Sequence, residues 1–372
     1  MAKGIMYSAR AGAGKSTYIT QKLIGEFKGK SVLFITFTNQ NSENLRQKLL
    51  KSSIVFKSWK IQTFYSFLYC IFVKPCRYFI QGNFNLLPIK GVFFRSQKAI
   101  SISKRNRISK KSQQFWQDKA GNLYGDKLAA LITDNRYKER WKHAVGMLSF
   151  FYDYVVIDEF QDIVKPELDV VVNLNRAFLK ENIKLIMVGD VYQSLVVGTS
   201  SGYHPYNYLG ESTEEDFIRN RLGFREKYLD INMQKLSSTY RVDETICRYI
   251  RKKLKIEIYG INDNSKQVIK VKDKNAVVNK LLSDQDITFL TDKRTAQDKL
   301  HNKYNIDYLK MMNIGVSKGD EFSKVAVLLT KEQEKFIEGK ISKLKSQSLN
   351  KLYVAITRSK NEVYLVYNSV LK

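Results

Sequence analysis

Cysteine, histidine and proline are scarce in this sequence of 372 residues, which contains three Cys, three His and four Pro. The cysteines Cys70, Cys76 and Cys247 form no C-x-x-C pair, and three are too few for a disulfide framework. A zinc site built from cysteine and histidine ligands is equally poorly supported. We therefore expect a protein of the reducing cytoplasm.

Acidic residues are outnumbered, because 36 Asp and Glu stand against 63 Lys and Arg, giving a formal net charge of +27. Such an excess attracts polyanions at long range. Nucleic acid is the expected partner, and an anionic membrane surface is the weaker alternative. No segment reaches the roughly 18 uninterrupted apolar residues of a membrane-spanning helix, so we expect no membrane span. Hydrophobic residues still make up 44% of the chain, which excludes a disordered protein.

Several short runs rich in apolar and β-branched residues predict buried parallel strands, with helical patterns such as NSENLRQKLL between them. This alternation predicts an α/β protein with two domains, residues 1–235 and 236–372. Many of the runs end in polar residues, and in open α/β sheets ligands bind at that edge. The strand candidates are GIMYS (4–8), SVLFITFT (31–38), DYVVIDEF (153–160), KLIMVGD (184–190) and, in the second series, DITFL, KVAVLL and EVYLVYN.

The stretch from about residue 74 to 140 interrupts the alternation and is interpreted as an insertion in the first domain. Between Lys90 and Gln117 it contains basic and aromatic residues but no acidic residue. Single-stranded nucleic acid suits such a mixture, since charge follows the backbone and rings stack on bases. A solvated surface is an equally good interpretation. The residues concerned are Arg95, Lys98, Lys104, Arg105, Arg107, Lys110, Lys111, Phe93, Phe94, Phe115 and Trp116.

The segment SARAGAGKST (8–17) has the phosphate-binding pattern G-x-x-x-x-G-K-[ST], with Ala9 in the first position. We call residues 9–16 the phosphate loop. Its backbone N–H groups are expected to bind a polyphosphate, with the positive end of the following helix dipole nearby. Lys15 would reach the outer phosphates, and the Ser16 hydroxyl would ligate Mg²⁺. The candidate nucleotide-binding residues are Ala11, Gly12, Ala13, Gly14, Lys15, Ser16 and Thr17.

Two adjacent carboxylates, Asp158 and Glu159, follow the apolar run DYVVI. Adjacent carboxylates are usually surface charge, but the end of a buried strand in a chain with a phosphate loop favours a catalytic role. Asp158 is then expected to hold Mg²⁺ through water, and Glu159 to orient or deprotonate the attacking water. A phosphate loop alone leaves kinases and switch GTPases open as alternatives.

Further short motifs follow the phosphate loop along the chain: ITFTNQNSENLRQKL (35–49), QTFYSF (62–67), DEFQD (158–162), VGDVYQSL (188–195), STYR (238–241), GVSKGDEFSKVAVL (315–328) and LYVAITRSK (352–360). Together they resemble, in the same order, the motifs of superfamily 1 DNA helicases of the UvrD/Rep type. Tyr65 stands where that family commonly has His. One such motif arises easily by chance, whereas the full ordered set does not.

The resemblance implies two RecA-like domains, each with a parallel sheet flanked by helices, and an ATP cleft between them. It implies that Gln193 contacts the γ-phosphate or the attacking water, and that Arg241 and Arg358 reach this phosphate from the second domain. Tyr240 is expected to stack on the adenine, and Glu321 to approach the ribose. DNA contacts are expected for Thr38, Asn39, Thr63 and Phe64, with core packing as the alternative for the last two.

The resemblance further implies an ATP-hydrolysing translocase or helicase that moves 3′ to 5′ along single-stranded or partial-duplex DNA. Two departures keep other hypotheses open. The segment VVGTSSGYHPY (196–206) lacks the family's aromatic and arginine pair, although Tyr203 or Tyr206 is a candidate substitute. The stretch from Arg241 to Lys318 is too short for a large accessory insertion. Strand separation is thus expected to be weak or to need a protein partner, and a DNA-bound ATPase switch or loading module is the alternative. An RNA helicase is less favoured.

Overall fold

The computed structural model describes residues 3–52, 54–95, 108–195 and 212–371 of the chain. Two sheets dominate it, one of six strands and one of five, and all strand pairs within both are parallel. Helices flank the sheets, so the predicted α/β class is confirmed. The strands are β1 (Gly4–Ala9), β2 (Ser31–Thr36), β3 (Ser58–Thr63), β4 (Gly91–Phe93), β5 (Asn122–Tyr124), β6 (Tyr154–Asp158), β7 (Lys184–Gly189), β8 (Leu229–Leu236), β9 (Ser238–Thr239), β10 (Tyr259–Gly260), β11 (Val268–Val271), β12 (Ile287–Thr291), β13 (Met311–Asn313), β14 (Phe322–Leu328) and β15 (Ser359–Val366).

The helices vary widely in length, and the longer ones cover the sheet faces. The first helix begins as α1, continues through a π-helical segment at Tyr18–Lys22 and ends in a 3₁₀ segment at Leu23–Phe27. No helix within the described ranges is long and apolar enough to cross a membrane. The α-helices are α1 (Lys15–Thr17), α2 (Asn39–Leu50), α3 (Phe64–Phe67), α4 (Arg77–Phe84), α5 (Gln113–Trp116), α6 (Leu128–Ile132), α7 (Lys138–Phe151), α8 (Glu167–Glu181), α9 (Glu214–Asp216), α10 (Glu244–Leu254), α11 (Lys274–Ala276), α12 (Arg294–Tyr304), α13 (Lys331–Ile337) and α14 (Ser346–Ile356).

The first sheet has the strand order β3-β2-β6-β7-β1-β8. Its inner strands are apolar on both faces, and all residues of β2 are buried, as expected for a parallel sheet covered on both sides. Because β6, β7 and β1 are neighbours, their carboxyl ends meet at one edge of the sheet. The phosphate loop, Asp158 and the turn after Gly189 therefore converge there, where ligands bind in open α/β sheets.

The second sheet has the order β11-β15-β14-β12-β13. Helix α14 lies between β14 and β15 in the chain, and eight of its eleven residues are buried. One continuous apolar cluster contains Leu352 and Tyr353 of α14 together with Val191 and Tyr192 from the turn after β7. Helix α14 thus packs against the ligand edge of the first sheet.

The stretch interpreted as an insertion is partly interior. Arg95 pairs with Asp126 at 2.6 Å, and the two side chains are only 8% and 4% exposed. Trp116 is fully buried. Arg95 and Trp116 are therefore structural, and the interpretation of them as a solvent-facing or nucleic-acid surface is wrong. Phe93 and Phe94 do remain exposed. Lys98, Lys104, Arg105 and Arg107 lie outside the described residues.

Candidate nucleotide site

Two glycines shape the phosphate loop between β1 and α1. Gly12 and Gly14 have φ angles of 73° and 75°, in the left-handed region that favours glycine. A Cβ on Gly12 would lie 2.4 Å from the Arg241 Cβ and 2.6 Å from the Thr239 Oγ1. The Gly12 carbonyl accepts a hydrogen bond from the Tyr240 N–H at 3.1 Å. The segment STYR therefore packs directly on the phosphate loop, and this close approach requires glycine.

The first half of the loop is held by hydrogen bonds within the protein. The Ala13 N–H donates to the Arg10 carbonyl at 3.0 Å. The Ala11 N–H donates to the Tyr353 hydroxyl, also at 3.0 Å. Both alanine side chains are buried, whereas Lys15 and Ser16 are partly exposed and Thr17 is exposed. Hydrogen bonds within the protein thus fix the first half of the loop, and its second half lies nearer to solvent.

Lys15 lies among buried carboxylates. Its Nζ is 3.2 Å from the Glu159 Oε1. Burial alone would lower the pKa of Lys15, but the attraction of Glu159, Asp190 and Asp158 outweighs it and raises this pKa above its ordinary value. Lys15 therefore remains a cation and is available to bind phosphate oxygens.

The adjacent carboxylates Asp158 and Glu159 have opposite electrostatic environments. Burial raises the pKa of Asp158, and the charge of Glu159 raises it further. Burial also acts to raise the pKa of Glu159, but Lys15 and Lys318 outweigh burial and hold this pKa well below its usual range. Glu159 consequently carries a negative charge at neutral pH. The ionised form of Asp158, in contrast, needs a nearby cation to stabilise it.

This donor set fits Mg²⁺. The ion usually takes one or two protein carboxylates and completes its shell with waters and substrate phosphates. Asp158 is a buried carboxylate whose charge is costly without a cation, and Ser16 offers a hydroxyl at the start of α1. The described residues contain no group of three or more His, Cys, Asp and Glu that could hold a metal. Asp158 and Ser16 would therefore hold Mg²⁺ together with the nucleotide.

Asp190 is a central acceptor that the sequence analysis did not single out. It is fully buried at the end of β7, and burial raises its pKa. Its carboxylate accepts hydrogen bonds from the Gln193 Nε2 at 2.8 Å, the Tyr192 N–H at 3.1 Å and the Tyr353 hydroxyl at 3.0 Å. Asp190 lies in the motif VGDVYQSL and Tyr353 in the motif LYVAITRSK. Their place in these motifs was the sequence signal that they take part in the site.

Arg358 comes from the turn between α14 and β15 and is almost fully buried. Its Nη2 lies 3.5 Å from the Gln193 Oε1, while Nε and Nη1 donate to the carbonyls of Val354 and Asp320, each at 3.2 Å. Burial, followed by the charge of Arg241, lowers the pKa of Arg358 to about 10. Arg358 thus stays charged at neutral pH and already faces Gln193 from the second sheet.

Arg241 and Glu321 form an ion pair beside the phosphate loop. The Arg241 Nε donates to the Glu321 Oε1 at 2.7 Å, and the Lys360 Nζ lies 3.0 Å from the Glu321 Oε2. Burial opposes ionisation of Glu321, but the hydrogen bond from Lys360 and the charge of Arg241 lower its pKa. The Tyr240 ring is 70% exposed, which leaves it free to stack.

Two more ion pairs connect the site to its surroundings. The Arg10 Nη2 lies 2.7 Å from the Glu214 Oε2, with both side chains buried. Lys318, which precedes β14, pairs with Asp162, which follows β6. The second pair joins an element of the second sheet to an element of the first. Lys15, Arg241, Arg10 and Lys318 are therefore all neutralised by acidic neighbours.

The residues expected to contact DNA have different environments. Thr38 and Asn39 are exposed at the start of α2, which Thr38 caps. Thr63 caps α3 and is partly exposed. Phe64 is fully buried, and its ring stacks on Phe37 with a centroid distance of 5.3 Å. The expectation of a DNA contact through the Phe64 ring is therefore wrong, and the core-packing alternative applies.

The structure thus gathers all six expected catalytic residues at one edge of the first sheet. Tyr203 and Tyr206, the candidate base-stacking residues, lie in 196–211, outside the described residues. The residues gathered around the phosphate loop are Lys15, Asp158, Glu159, Gln193, Arg241 and Arg358.

Comparison with known proteins gives a family and several similar folds. A family model described as an AAA domain matches residues 1–199. No curated protein sequence matches the chain. The arterivirus nonstructural protein 10 helicase aligns with a TM-score of 0.43 and 12% identity, covering 98% of this chain and 59% of that one. The complex of this helicase with DNA aligns with a TM-score of 0.45 and 11% identity, covering 100% of this chain and 63% of that one. Pif1 of a Bacteroides species in complex with ADP-AlF4 aligns with a TM-score of 0.44 and 11% identity, covering 99% of this chain and 90% of that one. The chain thus spans about three fifths of the arterivirus protein's length.

Proposed function

This chain belongs to the AAA domain family, whose model spans residues 1–199, and on that premise we propose that it is a motor of helicase superfamily 1 that moves along single-stranded DNA. ATP hydrolysis, the DNA strand and the 3′ to 5′ direction are all parts of the proposal. The observation that carries it is the approach of Arg358, from the second sheet, to within 3.5 Å of Gln193 beside the phosphate loop.

Hydrolysis needs a held phosphate chain and a positioned water. The phosphate loop and Lys15 would bind the phosphates, and Ser16 and Asp158 would hold Mg²⁺, which would supply positive charge against the phosphates. Glu159 lies beside Lys15, with 3.2 Å between Oε1 and Nζ, where it would orient or deprotonate the attacking water.

The second sheet supplies the charge that stabilises the transition state. Arg358 faces Gln193, and Arg241 packs against Gly12 of the phosphate loop. An arginine placed in this way raises the rate of phosphoryl transfer by roughly 10³- to 10⁵-fold. Arg241 is paired with Glu321. To bind the γ-phosphate, Arg241 would exchange that partner, and Glu321 would then approach the ribose.

Movement follows from the division of the site between two sheets. The phosphate-loop groups of the first sheet and the arginines of the second can bind the γ-phosphate together only when the two halves are close. ATP binding therefore favours the closed arrangement, and release of phosphate favours opening. The exposed Thr38 and Asn39 and the partly exposed Thr63 lie at helix starts of the first sheet, suited to contacting a DNA backbone. If the grip of each half alternates, every ATP cycle gives one step.

A DNA-bound ATPase switch or loading module is the second candidate. The chain between Arg241 and Lys318 folds into α10, β10, β11, α11, β12, α12 and β13, most of which belong to the second sheet and its flanking helices. That part of the described chain therefore contains no separate accessory domain. A compact enzyme of this kind suits translocation with weak strand separation, or loading of a protein partner, better than processive unwinding.

Displacement of streptavidin from biotinylated single-stranded DNA tests the proposal. A 3′ to 5′ motor releases streptavidin from a 5′ biotin in an ATP-dependent manner and leaves a 3′ biotin occupied. The matched control is Lys15→Ala, which lacks the phosphate-binding cation and should release neither. DNA-stimulated hydrolysis without displacement from either end contradicts the motor and supports the switch. Stronger stimulation by poly-U than by poly-dT contradicts a DNA substrate.

A further inference from the structure

A single buried hydroxyl joins the phosphate loop to the turn after β7. Tyr353 belongs to α14 and is fully buried. Its hydroxyl accepts a hydrogen bond from the Ala11 N–H and donates one to the Asp190 Oδ2, each at 3.0 Å. Ala11 and Asp190 belong to the first sheet's ligand edge, whereas Tyr353 comes from the second half of the chain. The hydroxyl thus connects both halves at the nucleotide site.

The Asp190 carboxylate, which accepts the hydrogen bond from Tyr353, also determines the orientation of the Gln193 side-chain amide. The Gln193 Nε2 donates to the Asp190 Oδ2 at 2.8 Å. Because an amide has one donor end and one acceptor end, this bond leaves the Oε1 facing the Arg358 Nη2 at 3.5 Å. A displaced Asp190 would therefore release the Gln193 amide from the orientation that Arg358 meets.

Other contacts keep α14 in register with the same turn. The Asn350 Nδ2 donates to the Ser194 carbonyl at 3.0 Å. The rings of Tyr192 and Tyr353 pack edge to face at 5.9 Å. The turn that contains Gln193 must therefore follow any movement of α14.

We infer that Tyr353 is a positioning residue that transmits the position of α14 to Gln193 through Asp190, while fixing the phosphate loop through Ala11. This inference deepens the proposed function and rests on it for the part that Gln193 takes in hydrolysis. The Tyr353 hydroxyl, the Asp190 carboxylate and the Gln193 amide belong to buried side chains. In such a place an unpaired donor or acceptor is costly, and a fully hydrogen-bonded network is rigid. The hydroxyl therefore sets the geometry of the γ-phosphate site without touching the reacting atoms.

Tyr353→Phe tests the inference, because it removes the hydroxyl and keeps the buried ring. We expect kcat for ATP to fall by about 10- to 100-fold, the range for losing one buried hydrogen bond to a charged group, while KM stays within about threefold. The matched control is Tyr367→Phe. Tyr367 is 4% exposed, and its hydroxyl has no hydrogen-bond partner among the described residues. Tyr367→Phe should leave both constants unchanged.

A double-mutant cycle with Asp190→Asn separates positioning from general packing. If Tyr353 acts on Gln193 through Asp190, the loss of kcat caused by Tyr353→Phe should be several-fold smaller in the Asp190→Asn background than in the wild type. Independent, multiplying losses contradict transmission through Asp190.

Amide exchange of Ala11 gives a readout that does not need hydrolysis. In protein labelled with ¹⁵N-alanine, Tyr353→Phe should speed Ala11 exchange, while Ala13, bonded to the Arg10 carbonyl, serves as the internal reference. Unchanged Ala11 exchange, or a wild-type kcat, overturns the inference. A wild-type protein that hydrolyses ATP but displaces no streptavidin refutes the proposed motor alone, and the Tyr353 experiments then still decide the inference.

Discussion

Arg358 combines burial, charge and a position at the boundary between the two sheets. Two of its guanidinium nitrogens are bound to backbone carbonyls, so the side chain is preorganised and, on the proposed function, would lose little freedom on contacting a phosphate. Its Nη2 faces Gln193. Such a group contributes mainly where charge develops in the transition state.

We predict that Arg358→Ala lowers kcat by about 10³-fold or more while the Kd for ATP changes by only a few-fold. Steady-state ATPase assays and equilibrium binding of a fluorescent ATP analogue measure the two effects. Arg248→Ala is the matched control, because Arg248 is an exposed arginine of α10 paired with Asp263 at the surface. Equal losses of turnover and affinity would argue against a transition-state role.

Glu167 is a second buried charge with a measurable consequence. It begins α8 and accepts a hydrogen bond from the Tyr65 hydroxyl at 3.3 Å. Burial raises its pKa from the ordinary 4.5 to about 7. Because the unfolded chain loses this proton first as pH rises, the free energy of unfolding falls between about pH 4.5 and pH 7.

We predict that Glu167→Gln removes this loss, since glutamine carries no charge and still offers Oε1 to Tyr65. The variant should match the wild type near pH 4.5 and exceed its free energy of unfolding by up to about 3 kcal/mol at pH 8, from about 1.4 kcal/mol per pKa unit. Urea unfolding at both pH values measures the difference. Lys180→Gln, an exposed change in the same helix, keeps Glu167 and should therefore keep the pH profile of the wild type. Parallel pH profiles for wild type and Glu167→Gln would contradict the prediction.

At the scale of elements, the turn between β1 and α1 depends on its glycine geometry. Gly12 has a positive φ and lies in contact with Thr239 and Arg241. A side chain there would be strained by both the backbone conformation and the missing space. The phosphate loop and the segment STYR therefore fit together only with glycine at this position.

We predict that Gly12→Ala lowers the free energy of unfolding by about 1–3 kcal/mol and weakens ATP binding, because the loop must move away from residues 238–241. Thermal unfolding with and without Mg-ATP measures both effects. Gly25→Ala is the control, since nothing lies within 4 Å of its added Cβ and its φ is not positive. A Gly12→Ala protein as stable as Gly25→Ala would contradict the close approach.

Elements with continuous apolar runs were predictable from the sequence, and edge elements were not. Strands β1, β2, β6, β7, β12, β14 and β15 lie where the apolar runs predicted them. Strand β3 was missed because its sequence SWKIQT carries Lys60 and Gln62, which an edge strand bonded only to β2 tolerates. Apolar runs indicate strands that are buried on both faces, whereas β3 lies at the edge of the sheet with β2 as its single neighbour among the described strands.

Site residues with local motifs were predictable, whereas their long-range partners were not. Lys15, Asp158 and Glu159 follow from spacing and from strand ends. Asp190 and Tyr353 gain their importance from a hydrogen bond between residues far apart in the chain, which no local pattern records. Phe64 was misassigned for a related reason, because its burial depends on stacking against Phe37. The domain limits at residues 235 and 236 and the roles of individual site residues stay predictions.

The whole molecule is strongly basic, with a net charge of +27. Lysine and arginine that neutralise phosphates release condensed counterions, so affinity for DNA depends steeply on salt. Charge of this magnitude also speeds encounter with a polyanion. On the proposed function, the net charge would act on DNA binding, while local ion pairs govern the candidate nucleotide site.

We predict that the affinity for single-stranded DNA falls by about tenfold or more between roughly 50 and 200 mM salt, with a slope of about −0.7 for each phosphate contacted. Fluorescence anisotropy with a labelled oligothymidine measures the slope. A strand of the same sequence with an uncharged peptide backbone is the control and should show almost no dependence. A flat profile for the natural strand would remove the argument from net charge.

The acidic partners of Lys15, Arg241, Arg10 and Lys318 act as internal counterions for the nucleotide site. In a strongly basic protein, a cluster of unpaired cations would attract any polyanion. Because each of these four cations already has an acidic partner, an anion that enters must displace that partner. The paired carboxylates therefore weaken non-specific binding of polyanions at this edge of the sheet.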